Sequence, residues 1–154
     1  MRILIMRHGE AQTFAHTDPL RPLTTRGEQD SVNIAAMLSE KGLGHIDVVW
    51  VSPYLRAEQT WRAVQTHIEA KQVQTEEGIT PYGDPEQVAS YIKAFVSVER
   101  PDSLMLVSHL PLVGYLTAEL VPNLPAPMFP TSTVACIEYD PDTEQSELLW
   151  MERG

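Results

Sequence analysis

The chain has 154 residues, a single cysteine and a formal net charge of -10, with eight arginines against three lysines. A chain of this length suits one domain spanning residues 1–154 with a real core, since about 150 residues hide roughly 70% of their unfolded surface. Its acidity argues against nucleic-acid binding and against docking on anionic membranes, because such a surface repels phosphate backbones.

Ile3-Leu4-Ile5-Met6 reads as a buried strand, and Arg7-His8-Gly9 follows it directly. These few apolar residues are too short for a secretory leader, and no apolar run approaches the roughly 20 residues that cross a bilayer. A soluble, cytoplasmic protein is expected. Glu10 to Pro22 reads as a loop with a turn at Asp18-Pro19. Thr25-Arg26-Gly27-Glu28 then fits a capping box with Thr25 as the cap, opening a helix to about Glu40 with Val32, Ala35, Ala36 and Ser39 as its inward stripe.

Asp47 precedes a second strand, Val48 to Val51, and Ser52-Pro53 reads as serine cap and first-turn proline of a helix running to about Ala70. Leu55, Thr60, Trp61, Val64 and Ile68 point inward on this reading. Arg56 falls in the first turn, where the positive end of the helix dipole adds to its charge. A third strand is expected near Val73 to Glu76, then a loop from Gly78 to Gly83. Asp84-Pro85 opens another helix, with Val88, Tyr91, Ile92, Phe95 and Val96 on its apolar face.

Ser103 to Ser108 is the best-defined strand. It leads into His109 and a helix, Leu110 to Val121, apolar nearly all round and therefore expected to be deeply buried. Pro122 to Pro130 contains four prolines and is expected as an ordered loop near the mouth of a pocket. Ser132 to Tyr139 and Glu147 to Met151 form a hairpin, in which Cys136 is a small buried hydrophobe rather than a catalytic thiol. The alternation of strands and helices predicts a three-layer α/β/α sandwich with a mostly parallel central sheet and a C-terminal hairpin.

Three strand-like runs therefore end in cationic segments: Arg7 and His8, then Arg56, then His109. In an open parallel sheet their carboxyl ends share one edge, where such folds bind ligands. Two arginines and two histidines around one point make a trap for a doubly charged tetrahedral anion. An imidazole so placed can attack phosphorus while Arg7, Arg56 and His109 match the charge on the equatorial oxygens, His109 serving best when protonated. Metal binding is not expected, because no histidine or carboxylate pair has ligand spacing and arginines repel cations. His16, His45 and His67 read as loop or surface residues.

Arg7-His8-Gly9, the segment Arg56-Ala57-Glu58-Gln59-Thr60 and Ser108-His109 resemble the motifs of the histidine phosphatase superfamily, which includes phosphoglycerate mutases. The short length, Arg21-Pro22-Leu23-Thr24 and the stretch Ser108 to Leu116 resemble its small bacterial phosphohistidine phosphatases. The resemblance implies the same sandwich fold, His8 as nucleophile through a covalent phosphohistidine, Arg7, Arg56 and His109 as catalytic phosphate ligands, and Arg21 as a further phosphate ligand. It implies no cofactor.

One departure from the mutases matters: their acidic proton donor has no counterpart in Ile79-Thr80-Pro81-Tyr82-Gly83, leaving Glu10, Asp18, Glu77 and Glu86 as substitutes. An alkoxide leaving group needs a proton, whereas an imidazole protonated on its far nitrogen departs as a neutral ring with a conjugate-acid pKa near 6.5. The expected substrate is thus phosphohistidine on a protein, a histidine phosphotransfer domain or a phosphocarrier, met by a monomer with a shallow pocket. Two other readings stand beside it: a small-molecule phosphomonoesterase or mutase, and a non-catalytic module that binds phosphoproteins.

Overall fold

Alternate residues of the central strands are apolar on both sides, so each strand must be covered on both faces. In this computed structural model, which describes residues 1–153, that requirement is met by a six-stranded sheet between two pairs of helices. The strands are β1 (Arg2–Arg7), β2 (His45–Val51), β3 (Glu69–Thr75), β4 (Ser103–Ser108), β5 (Thr133–Tyr139) and β6 (Ser146–Arg153), in the order β3-β2-β4-β1-β5-β6. β1 to β4 pair in parallel; β5 runs antiparallel to β1 and closes a hairpin with β6. The helices are α1 (Thr25–Glu40), α2 (Leu55–Val64), α3 (Pro85–Glu99) and α4 (Leu112–Leu120).

Leu4 and Met6 of β1, with Val49, Val51, Met105 and Val107, pack under Ile34, Leu38, Trp61 and Val64 of α1 and α2. Ile3 and Ile5, with Trp50, Leu104 and Leu106, pack under Ile92 and Val96 of α3 and Leu116 of α4. Each such large side chain, fully buried, contributes about 1.5–3 kcal/mol. The expected sandwich and hairpin are present. Cys136 is buried in the first of these layers. No helix among the described residues is long and apolar enough to cross a membrane.

Several local expectations are corrected. α1 is capped by Thr24, not Thr25: its Oγ1 accepts from the Gly27 N–H at 2.9 Å. The Thr24 N–H donates to the Glu10 carbonyl at 2.9 Å, which holds Thr24 outside the helix. The buried face is Gly27, Ser31, Ile34, Ala35 and Leu38, so Ser39 lies outside it and Val32 and Ala36 are only half-buried. Its first inward turn is Gly27 and Ser31, because Gly27 lies directly against the Glu10 backbone there, and an apolar pattern does not register these two.

α2 ends at Val64 rather than near Ala70, and β3 begins at Glu69. The Glu69 N–H donates to the Gly44 carbonyl at 2.9 Å, drawing the chain into register beside β2. β3 is the exposed edge of the sheet and carries Glu-Ala-Lys-Gln-Val-Gln-Thr, a polar run without strand alternation, which is why its first residues read as the end of a helix and a strand is expected only from Val73. β2 extends back through Asp47 to His45. α4 is shorter than Leu110 to Val121 and is not buried all round, since Tyr115 is 55% exposed and Glu119 also faces solvent.

Candidate active site

β2, β4 and β1 are neighbours in the sheet and run the same way, so Val51, Ser108 and Arg7 end at one edge. Past that edge the three motif segments meet. The His8 N–H donates to the Ser108 carbonyl and the Ser52 N–H to the Val107 carbonyl, at 3.0 and 3.1 Å, extending the ladders into the loops.

Gly9 then turns against α1. A Cβ on Gly9 would stand 2.5 Å from the Gly27 carbonyl oxygen, and one on Gly27 would overlap the Glu10 carbonyl. Two glycines facing each other are what allow the loop after His8 to lie against the helix. The Gly9 N–H donates to Thr60 Oγ1 at 3.0 Å, and Thr60 in turn donates to the Arg56 carbonyl at 2.7 Å. The residue after His8 is thereby pinned to the helix that carries Arg56.

His8 is buried, with 6% exposure, and Nδ1 lies 2.7 Å from the Gly9 carbonyl oxygen. A carbonyl only accepts, so the proton resides on Nδ1 and Nε2 keeps its lone pair. Arg56 Nε donates toward that lone pair at 3.4 Å. Burial lowers the His8 pKa to about 4, and the nearby arginines add to the effect against the Gly9 hydrogen bond, so the ring is neutral at pH 7.

Arg56 is 3% exposed; Nη1 donates to the Asp18 carbonyl at 2.9 Å and Nη2 reaches Asp18 Oδ2 at 3.3 Å. Arg7 Nη1 donates to the Phe129 carbonyl at 2.9 Å, which ties the proline-rich segment to the site. Its Nε is buried without a partner among the described residues. Burial presses both guanidinium pKa values downward, and the two arginines repel one another at Arg7.

The His109 ring lies 5.0 Å from that of His8, centroid to centroid, and its Nε2 is 2.7 Å from Ser52 Oγ. Nδ1 has no partner among the described residues, although it is buried. Burial first, then His8 and Arg56, lower its pKa to about 2. The ring is therefore neutral rather than protonated; a dianion set beside it would oppose that shift.

Arg21 sits on the far side of Asp18, with Nε 2.8 Å from Oδ1 and Nη1 on the Gln12 carbonyl at 3.0 Å. It joins the cluster through that carboxylate. His8, Arg7, Arg56 and His109 are brought together directly; His16, His45 and His67 are exposed. No group of three metal-ligating side chains occurs among the described residues.

Four contributors were not legible as such. Ser52 is not the cap of α2, which begins at Leu55 with Tyr54 in the cap position; its hydroxyl holds His109 instead. Tyr54 stands 5.0 Å from the Arg56 guanidinium and 5.1 Å from the His109 ring. Gln59 Oε1 accepts the Leu23 N–H at 2.7 Å, anchoring the loop that carries Asp18. Asp18 itself is paired to two arginines, and the Arg21 hydrogen bond above all lowers its pKa, so it stands as a carboxylate and not as a proton donor. The spacing Asp18 to Arg21 and the pair Gln59-Thr60 were the available signals.

A bare imidazole nitrogen beside a buried guanidinium, with a second imidazole and a second arginine at hand, can bind a tetrahedral oxyanion and attack its centre. The sequence pattern of the histidine phosphatase superfamily (branch 1) matches residues 3–87, and the chain belongs to that superfamily.

Among its relatives, the phosphohistidine phosphatase SixA of Escherichia coli K12 is 42% identical over 141 residues, covering 91% of this chain and 86% of the relative. A SixA homolog of Haemophilus influenzae is 35% identical, covering 97% and 93%. The solved structure of the protein histidine phosphatase SixA complexed with tungstate superposes with a TM-score of 0.93 at 39% identity, over 99% of this chain and 97% of that one.

Proposed function

We propose that this protein is a phosphohistidine phosphatase, which takes a phosphoryl group from phosphohistidine on another protein onto His8 and then releases it to water. The donor is a histidine phosphotransfer domain or a phosphocarrier. The observation that carries the reading is the state of His8: its proton is held on Nδ1 by the Gly9 carbonyl, and its unprotonated Nε2 faces Arg56. Attack in line from Nε2 builds charge on three equatorial oxygens, which Arg7, Arg56 and His109 are there to meet. The unpartnered Arg7 Nε and His109 Nδ1 are suited to oxygen ligands. The names of the relatives point to the same substrate, and tungstate is a tetrahedral oxyanion of the kind such a pocket takes.

The leaving group supports phosphohistidine over an ester. Asp18, the carboxylate against the cluster, is ionised and has no proton to give to an alkoxide. The departing imidazole needs none on the atom bonded to phosphorus. On this reading the chain is one domain that works as a monomer in the cytoplasm, without a cofactor.

The test is a time course with a phosphorylated phosphotransfer domain. Wild type should dephosphorylate the donor and carry acid-labile label, and His8→Ala should lose both, by at least roughly a thousandfold in rate. Faster turnover of p-nitrophenyl phosphate or phosphoglycerate would instead mark an ester phosphatase or mutase. Tight binding without turnover, unchanged in His8→Ala, would mark a binding module.

A further inference from the structure

Asp18 is the one carboxylate paired to the cationic cluster among the described residues. It lies in a one-turn 3-10 segment, Asp18–Leu20, with its side chain 47% exposed. Oδ1 takes Arg21 Nε at 2.8 Å and Oδ2 takes Arg56 Nη2 at the longer distance of 3.3 Å. A carboxylate has about four acceptor positions, so capacity remains on the exposed side.

Holding Arg56 in place does not require this charge. The Asp18 backbone carbonyl already takes Arg56 Nη1 at 2.9 Å, and any residue at this position would supply it. A negative charge at the entrance to a phosphate site also weakens the attraction of that site for a dianion. The charge fits a substrate that is anionic at phosphorus and bears a polar, positive N–H a few ångströms away. A ring-protonated phosphohistidine has that form, and a phosphate ester does not.

We propose that Asp18 is the specificity-determining residue of the site: its carboxylate accepts the N–H of the substrate's phosphoimidazole ring, at the nitrogen not bonded to phosphorus. The inference rests on the phosphohistidine reading above. With that N–H held, the substrate ring is cationic before transfer. As the phosphorus–nitrogen bond breaks, its electron pair returns to the ring, which leaves as neutral imidazole with the same N–H. The His8 Nε2 lone pair forms the new bond, and the positive charge moves to the His8 ring, whose Nδ1–H is already on the Gly9 carbonyl. Each ring thus has an oxygen on its far nitrogen, Asp18 for the donor and Gly9 for the acceptor. An ester oxygen has no such N–H and meets only repulsion from the carboxylate.

Asp18→Asn removes the charge while the backbone contact to Arg56 stays. Its kcat/KM on a phosphohistidine protein should fall about tenfold or more, while kcat/KM on p-nitrophenyl phosphate should rise, so that the two substrates move in opposite directions. Asp18→Glu should recover part of the phosphohistidine activity. If the Asn variant loses both activities in parallel, Asp18 only positions Arg56 and the inference is overturned; unchanged phosphohistidine turnover overturns it equally. Wild type that cannot dephosphorylate phosphohistidine at all sinks the parent reading, and this inference with it.

Discussion

His8 owes its chemistry to which of its two nitrogens is left bare. The hydrogen bond from Nδ1 to Gly9 fixes the tautomer, and burial keeps the ring from taking a second proton that would cap Nε2. His109 is neutral for the same first reason, and Ser52 sets its orientation. Proton NMR titration of the two imidazoles should show neither ring charging between about pH 8 and 5, with His8 following at about 4. A midpoint near 6.5, the value of an unperturbed histidine, would show that the site is wet and that His8 is not held as described.

At the scale of elements, α2 explains the spacing of the motif it carries. Arg56, Gln59 and Thr60 are separated by three and four residues and share one helix face. One turn of helix thus delivers the guanidinium to His8, the amide oxygen to the Asp18 loop and the hydroxyl to Gly9. The loop side of this assembly depends on α1 lying close. Gly27→Ala places a methyl into the Glu10 carbonyl, so backbone must move, and overpacking of this kind costs about 1–3 kcal/mol. Urea denaturation should show that loss, and activity should fall with it because the Gly9 turn shifts. A variant as stable and active as wild type would show the contact to be soft.

The whole molecule carries a net charge of -10, yet it gathers Arg7, Arg21 and Arg56 at one edge of the sheet. Keeping two histidines buried and neutral there makes stability depend on pH. Their pKa values are depressed on folding, so between about pH 4 and 6.5 the unfolded chain binds more protons than the folded one. Their contribution is fully present above about 6.5 and is lost as pH falls through that window. Each histidine should cost about 2 kcal/mol of stability between pH 7 and 5. Denaturant midpoints at the two pH values check this, and a stability that stays flat or rises on acidification would refute it.

Sequence alone determined the periodic and the local. Strands with apolar residues on both faces had to be covered on both sides, and Ser103 to Ser108 was legible to the residue because six buried positions run together between clear breaks. The motif residues at three strand ends announced a shared edge, since parallel neighbours must finish together. Elements set by contacts between distant segments were decided only by the tertiary structure. β3 is a strand because β2 offers it a backbone ladder, not because its own polar residues favour one. Ser52 looks like an ordinary cap, and Asp18 like a turn residue or one of four candidate acids, until folding brings His109 and Arg56 within reach. A side chain's periodicity is written in its neighbours along the chain, whereas its hydrogen-bond partner across the fold is not.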